Sequence, residues 1–207
     1  MRKASIPVAI LSSAILILWT SLVWTHESAW PGKRLAEVFP KAKKFKARQV
    51  TLTAEQIARI EKETGSKVEG EDKEPTFYVA YGPVEGGKSD ELQPMGAVVF
   101  IDAVGQSGNM EVNVAITPKG TLQSVSLWKH TESKKLESPE FLKQFEGDKK
   151  VTDAFQVGKD ITAVPGAEKA SQAMATAAKR GLVMFQEVFG KKDTNETPAD
   201  SIRGVAR

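Results

Sequence analysis

The hydrophobic positions divide the chain into an uncharged apolar stretch, a basic segment, and a longer region in which strand and helix patterns follow one another. The apolar stretch, residues 6–24, contains about 19 residues, which as a helix would nearly span the roughly 30 Å of a bilayer core. Tryptophans occupy the positions of an interfacial aromatic belt: Trp19, Trp24 and Trp30. This pattern predicts an uncleaved transmembrane anchor over residues 1–25. A cleaved signal peptide is the alternative, although no small-x-small cleavage site follows the stretch.

The segment after the anchor is basic and predicts a juxtamembrane linker over residues 26–50. Between residues 33 and 48, Lys and Arg are interleaved with a few apolar side chains, among them Leu35, Phe39 and Phe45. Either the cations attract anionic lipid head groups, or a solvated linker docks its apolar residues on the domain or on a partner subunit. We favour the linker. No nucleic-acid motif accompanies the cations, so nucleic acid is not an expected partner.

The first helix of the region that follows has clear boundary signals. Thr53 and Gln56 can form a capping box, in which each side chain bonds to the other residue's N–H. Leu52 and Ile57 occupy the positions of a hydrophobic staple. Gly65 is the expected C-terminal stop. These signals predict a short structural helix.

From residue 77 the hydrophobic period changes to two, which predicts β-strands. The predicted strands are residues 77–84, 96–104, 110–117 and 122–128, with turns at Pro94, residues 105–108 and residues 118–120. Residues 111–128 are expected to form an antiparallel hairpin. Four apolar residues share one of its faces: Met110, Val112, Val114 and Ile116. The opposite face, with Glu111 and Asn113, would be more polar or cover a groove.

A His–Glu pair follows the last predicted strand. His130 and Glu132 occupy alternate positions, so both would point to one side if the strand continued. Such a pair can act as a proton relay or as half of a metal site, but without further ligands it is more often a hydrogen bond at a strand end. A short helix is predicted within residues 136–150, with Pro139 near its start. Three apolar residues of this helix are expected to be buried: Phe141, Leu142 and Phe145.

The longest predicted helix lies within residues 160–189 and is rich in alanine. Pro165 suits its first position, because the missing N–H would have had no partner there. Glu168 lies in the first turn, where the free N–H groups and the helix dipole favour a carboxylate. Small or apolar residues recur along one face: Ala167, Ala170, Met174, Ala177, Gly181, Phe185 and Phe189. A helix start after a Gly-containing loop also suits an anion such as phosphate, although a core helix with a favourable start is the simpler explanation.

The composition restricts the chemistry that the chain can perform. Its 207 residues include no cysteine and only two histidines, His26 and His130. Thiolate catalysis, iron–sulfur clusters and disulfides are therefore excluded, and a zinc site would need mostly carboxylates. No nucleophile–base–orienter set is visible, so we predict no catalytic and no metal-ligating residue, and a hydrolase or metal enzyme built on His130 and Glu132 is disfavoured.

Several short segments follow one another in an order that is found in a known family. After the apolar stretch come L-A-E-V-F-P-K-A at residues 35–42 and V-A-I-T-P-K-G-T-L-Q-S-V in the predicted hairpin. W-K-H-T-E-S-K-K-L follows at residues 128–136, and F-L-K-Q-F-E-G at residues 141–147. Last comes Asp160, followed by P-G-A-E-K-A-S. Over about residues 6–189 the chain thus resembles the FMN-binding domain family, typified by the G subunit of the Rnf complex and the C subunit of the sodium-pumping NADH:quinone oxidoreductase.

The resemblance implies that FMN is the cofactor. The isoalloxazine ring would lie near residues 128–132 and the start of the long helix. The implied cofactor-binding residues are Trp128, His130, Glu132, Gly166, Ala167, Glu168 and Ser171.

One departure from the family's Ser-Gly-Ala-Thr-x-Ser-Ser box affects how FMN could bind. The family threonine that becomes phosphoester-linked to FMN aligns with Glu168, and the serine that opens the box aligns with Pro165. A carboxylate has no hydroxyl for that linkage, and it would repel a nearby phosphate by roughly one to a few kcal/mol. We therefore predict that covalent FMN is absent and that any FMN is bound non-covalently.

The predicted fold class is α+β, with an N-terminal transmembrane helix followed by one antiparallel sheet domain with packed helices. The FMN-binding-like domain would span residues 51–190, and a polar tail residues 191–207. By resemblance, the chain is a single-pass protein of the inner (cytoplasmic) membrane with its domain on the extracytoplasmic (periplasmic) side, although the positive-inside count alone would place the domain in the cytoplasm. It would be an electron-transfer or accessory subunit of a membrane redox complex, with other subunits as partners. The alternative is a flavin-free structural or assembly subunit that keeps only the fold.

Overall fold

The computed structural model describes residues 31–88 and 90–190, which form a five-stranded antiparallel sheet with helices. The strands are β1 (Lys44–Gln49), β2 (Thr76–Pro83), β3 (Leu92–Val104), β4 (Asn109–Ile116) and β5 (Leu122–Leu127). They pair in the order β1-β2-β3-β4-β5, so that every strand lies beside its neighbours in sequence. The α-helices are α1 (Gly32–Val38), α2 (Ala54–Thr64), α3 (Pro139–Leu142) and α4 (Glu168–Phe189), and 3₁₀ turns span Gly70–Lys73, Lys134–Glu137 and Lys143–Phe145. The predicted α+β class with one antiparallel sheet is confirmed.

The two ends of the predicted organisation fall outside this region. The predicted anchor, residues 6–24, and the polar tail, residues 191–207, lie outside the described residues. Within the described ranges, none of the helices has the length and apolar character needed to cross a bilayer. The anchor therefore stays a prediction.

One face of the sheet carries the main core beneath α4. The four apolar residues predicted to share a face of β4 are all buried there: Met110, Val112, Val114 and Ile116. Gly181 lies so close to this strand that a Cβ would be 2.8 Å from Cγ1 of Val114. Further along α4, Phe185 and Phe189 pack edge-on against Phe77, with ring centroids 6.2 and 5.1 Å apart. Small residues thus bring α4 close to the central strands, and aromatic rings fill the wider space towards its C-terminus.

The helix α2 forms as its boundary residues predict. The Thr53 N–H donates to Gln56 Oε1 at 2.9 Å, and the Gln56 N–H donates to Thr53 Oγ1 at 3.3 Å, which confirms the capping box. Gly65 ends the helix in the left-handed conformation with φ of 66°. The helix then packs beside α4, where the Arg59 guanidinium donates to both carboxylate oxygens of Glu187 at 2.8 and 2.6 Å.

The opposite face of the sheet is covered by α1, in a segment that the sequence predicted to be linker. Residues 32–49 form α1 and β1, so the folded domain begins well before residue 51. Leu35 and Phe39 are buried against four residues of the sheet: Ala80, Val98, Phe100 and Ala115. Gly96, with φ of +146°, makes room for this layer, because a Cβ would lie 2.7 Å from Cζ of Phe39. The predicted polar face of β4 is therefore buried, including Glu111 and Asn113.

Two smaller predictions are corrected. Pro94 lies inside β3 and not in a turn, because it stands opposite Tyr81 where the register with β2 shifts. Such an irregularity tolerates a residue that cannot donate to the ladder. In the region of α3, Phe141 and Phe145 are buried as predicted, whereas Leu142 is only partly buried.

If α1 is an integral part of the domain, truncating its central apolar residue should weaken the whole fold. We expect Leu35→Ala to lower the free energy of unfolding by about 2–5 kcal/mol, because Leu35 is fully buried. Lys33→Ala, a change at an exposed position of the same helix, should have an effect within about 0.5 kcal/mol. Denaturant unfolding of the full-length protein measures both values. Equal stabilities of the two variants would show that α1 is not part of the cooperative unit.

Candidate functional site

The turn before α4 places the predicted box. The Ala167 N–H donates to the Val164 carbonyl at 2.9 Å, and Gly166 has φ of +78°. With Pro165 and Gly166 at the two central positions, this is the pattern of a type II turn, which requires glycine or asparagine at the second of them. The helix begins only at Glu168. Pro165 therefore lies in the turn. The prediction that it occupies the first helical position is wrong.

The hydroxyl of Ser171 joins the turn to the helix. Ser171 is fully buried, its Oγ donates to the Ala167 carbonyl at 2.8 Å, and the same oxygen accepts from the Val164 N–H at 3.0 Å. Ala167 is also fully buried. These two predicted cofactor-binding residues therefore fix the shape of the helix start, and neither exposes a group to a cofactor.

Glu168 is the group that presents charge at the helix start. Its side chain is exposed, and Oε1 accepts from the Gly166 N–H at 2.9 Å. This bond, and a further one from the N–H of Glu168 itself, hold the pKa of the Glu168 carboxyl below its usual value. Ala167 provides no side-chain cap. The carboxylate of Glu168 is thus the anion that lies at the N-terminus of α4, where the free N–H groups and the helix dipole favour negative charge.

Asp160, which precedes the box, forms its hydrogen bonds within the protein. Its carboxylate accepts from Lys149 Nζ at 2.8 Å and from the N–H groups of Phe155 and Gln156 at 3.1 and 2.8 Å. Burial opposes its charge, but these donors together lower the pKa of Asp160. Asp160 therefore organises the loop that leads to the turn.

The tip of the β3–β4 hairpin, residues 105–108, lies between the turn and the segment that leaves β5. The Gln106 side-chain amide donates to the Gly166 carbonyl. On its other side, the Ser107 N–H donates to Glu132 Oε1 at 2.6 Å, and Thr131 Oγ1 donates to the Ser107 carbonyl at 3.1 Å. The hairpin tip thus connects two parts of the predicted site, Glu132 and Gly166.

His130 and Glu132 do not form the pair that the sequence suggested. The hydrogen-bond partner of His130 Nε2 is Oε1 of Glu137, at 2.8 Å, and not Glu132. Glu132 is 6% exposed and turns towards the hairpin tip. Within residues 31–88 and 90–190, no group of three or more metal-ligating side chains could hold a metal ion.

Trp128 lies on the other side of the sheet from α4. Its ring packs on Phe100, with centroids 4.6 Å apart, among the residues that α1 covers. The Arg34 guanidinium stands 4.7 Å from the Trp128 ring centroid, a cation–π contact. The structure therefore separates Trp128 from the helix start with which the family resemblance grouped it.

A cavity of about 710 Å³ lies along the first half of α4. Its lining comes from α4, the end of β3, and the segment after α2: Ser66, Lys67, Glu69, Gly70, Asp72, Asp102, Ala103, Val104, Asn109, Lys169, Gln172, Ala173, Thr176, Ala177 and Arg180. Lys169 follows Glu168 directly, and Val104 and Asn109 flank the hairpin tip. The cavity therefore adjoins the predicted site, and its volume is that of a small-molecule or cofactor site.

An ion pair between Arg180 and Asp72 lies in the lining. Arg180 Nη1 donates to Asp72 Oδ2 at 2.6 Å, and Nη2 donates to the Ser66 hydroxyl. Asp72 is only 2% exposed, and burial raises its pKa to about 6 although Arg180 acts in the opposite direction. Two atoms of this pair, Asp72 Oδ1 and Arg180 Nε, have no hydrogen-bond partner among the described residues. Sequence reasoning missed both residues, because only the fold brings positions 72 and 180 together.

Comparison with known families agrees with this location. Residues 105–183 match the model of the FMN-binding domain family. The matched segment is less than half of the chain, and it contains the hairpin tip, Glu132 and the turn before α4. The resemblance inferred from the sequence motifs is confirmed over this segment. A search of curated proteins found no match to the chain.

The buried Asp72 should make stability depend on pH in a defined direction. Its folded-state pKa, about 6, lies above the ordinary value of 3.8, so its protonated form is favoured in the folded protein. Its contribution to stability is therefore fully present below about pH 4 and is lost as the pH rises through 6. The loss should amount to at most about 3 kcal/mol.

Denaturant unfolding between pH 4 and pH 7 tests this dependence. Asp72→Asn, which imitates the protonated carboxyl, should flatten the decline, whereas Asp90→Asn at an exposed position should leave it unchanged. A decline of equal slope in Asp72→Asn would show that other groups cause it.

Proposed function

We propose that this protein, which matches the FMN-binding domain family over residues 105–183, is a flavin-related subunit of a membrane redox complex. It acts in electron transfer or as an accessory subunit, without the covalent FMN that is usual in the family. The observation that carries the proposal is the cavity beside α4, because seven of its fifteen lining residues lie inside the segment that matches the family.

The cavity supports non-covalent binding of FMN. Its volume of about 710 Å³ lies within the usual range of about 300–1,000 Å³ for cofactor sites. Lys169 supplies positive charge for a phosphate, and apolar side chains such as Ala103 and Val104 supply surface for a flat ring. When bound, FMN would supply the one- and two-electron chemistry. The residues of this chain would bind it, orient it and exclude water.

Covalent attachment is not supported by the helix start. The position that corresponds to the family's threonine is Glu168, whose carboxylate already accepts from the Gly166 N–H. This residue offers no hydroxyl for a phosphoester. A phosphate beside it would face a group whose lowered pKa keeps it ionised at neutral pH.

The membrane location is part of the proposal. Residues 6–24 form an uncharged stretch of about the length of a transmembrane helix, and the family's members named above are membrane-complex subunits. We infer a single-pass protein of the inner membrane with its domain on the extracytoplasmic side. Its partners would be the other subunits of the complex.

A second candidate function is a flavin-free structural or assembly subunit. The observation that favours it is again Glu168, because an internal carboxylate fills the place at which a bound phosphate would gain most from the helix start. In that case the domain keeps the fold and contacts its partners without a cofactor.

The two candidate functions differ in whether the native protein holds a flavin, and this can be measured. The full-length protein, purified in detergent, should show visible flavin absorption that is lost from the polypeptide after denaturation, and its denatured band should not fluoresce in a gel. Lys169→Ala should weaken binding of added FMN about tenfold or more, the value of a charge-assisted bond, whereas Lys135→Ala at an exposed site outside the cavity should not. Absence of flavin from the native protein, with no binding of added FMN, would favour the flavin-free subunit. Fluorescence that survives denaturation would refute non-covalent binding.

The alignment of the box can be tested by restoring the hydroxyl. Glu168→Thr, co-expressed with a flavin transferase, should gain fluorescence that survives denaturation, because the side chain at this position is exposed and its new hydroxyl is accessible to the transferase as the acceptor. Glu168→Ala, which also removes the charge but adds no hydroxyl, is the matched control. If both variants stay colourless in the gel, Glu168 does not occupy the attachment position.

A further inference from the structure

We propose that the tip of the β3–β4 hairpin, residues 105–108, is a latch through which Glu132 positions the turn that begins α4. Glu132 is then a positioning residue, which acts on the helix start through the hairpin and not by direct contact. The proposal rests on the contacts of these residues and holds whether or not FMN binds.

The first half of the latch joins Glu132 to the hairpin tip. Glu132 Oε1 accepts from the Ser107 N–H at 2.6 Å, and Glu132 is only 6% exposed. Thr131 adds a second bond, from Oγ1 to the Ser107 carbonyl at 3.1 Å. Both polar groups of the Ser107 backbone are therefore held by the segment that leaves β5.

Gly105 shows how closely Glu132 fits the hairpin. A Cβ on Gly105 would collide with the Glu132 carboxylate. The φ of Gly105 is not in the positive range, so its backbone does not require glycine. The missing side chain at this position therefore serves the approach of Glu132 and not the conformation of the turn.

The second half of the latch joins the hairpin tip to the helix start. The Gln106 side-chain amide donates to the Gly166 carbonyl, and the Gly166 N–H donates to Glu168 Oε1 at 2.9 Å. Gly166 itself is exposed and lies in a left-handed conformation, and these two contacts engage both polar groups of its backbone.

The burial of Glu132 has a cost that a purely structural residue would avoid. Its Oε2 is buried without a hydrogen-bond partner among the described residues. A buried carboxylate with one unsatisfied oxygen is unfavourable, and an apolar side chain would fill the same space without this desolvation penalty. The bond to Ser107, and the placement of the hairpin tip that follows from it, are what this carboxylate provides.

The exchange rate of the Gly166 amide hydrogen, measured by NMR on the full-length protein in detergent, tests the latch. Gln106→Ala and Glu132→Ala should each raise this rate about two- to tenfold, the range that corresponds to loss of one hydrogen bond. The double variant should exchange no faster than the faster single variant, because both changes break one chain of contacts. The Gly65 amide, which is bonded to the Glu61 carbonyl at the end of α2 and has no bond to the hairpin tip or the turn, is the internal reference and should not change.

Two further variants separate positioning from general destabilisation. Gln93→Ala removes another exposed amide that bonds to a carbonyl, that of Pro83, and should leave Gly166 exchange unchanged. If Glu132→Ala does not fold, Gly105→Ala displaces the same carboxylate by its added Cβ and should raise Gly166 exchange in the same range. An unchanged Gly166 rate in Gln106→Ala, additive effects in the double variant, or an equal increase at Gly65 would each overturn the proposal.

Discussion

The contact between Gly181 and Val114 is the constraint on which the arrangement of the domain depends. Because a Cβ at Gly181 would approach Val114 to 2.8 Å, α4 can lie against the middle of the sheet only with glycine at this position. Once the helix axis is fixed there, its two ends are fixed as well. The C-terminal end meets α2 through Glu187 and Arg59, and the N-terminal end meets the tip of the β3–β4 hairpin through Gly166 and Gln106. The candidate site is therefore a consequence of how closely one helix approaches one strand.

Local patterns in the sequence were sufficient for the elements whose signals lie within a few residues of one another. The capping box at Thr53 and Gln56 and the alternating residues of β4 have short-range causes, and both formed as predicted. The segment of α1 and β1 was harder to interpret, because its many cations are typical of a linker. What decides its structure is the burial of Leu35 and Phe39 on the far face of the sheet, and that surface exists only after β2, β3 and β4 have paired.

The same distinction explains which parts of the site could be predicted. The turn before α4 is predictable because Pro165 and Gly166 are adjacent, but the geometry of the turn makes Glu168 the first helical residue. The family resemblance groups Trp128 with the helix start, but its ring packs on Phe100, on the α1 side of the sheet. The contacts of Gln106 with Gly166, and of Arg180 with Asp72, join residues that are 60 and 108 positions apart. No spacing rule could have indicated them, because they depend on strand order and on the path of α4.

The negative charge of Glu168 and the positive charge of Lys169, both in the first turn of α4, affect where a flavin phosphate would bind. The first free N–H groups of a helix attract one anion strongly, and in this chain Glu168 supplies that anion from within. A phosphate at the same place would have to displace the carboxylate from the Gly166 N–H or accept repulsion from it. One residue further on, Lys169 lines the cavity and offers positive charge there. On the proposal that Glu168 takes the place of the family's attachment threonine, the favourable position for a phosphate would lie towards the cavity, and the missing hydroxyl would not by itself exclude the cofactor.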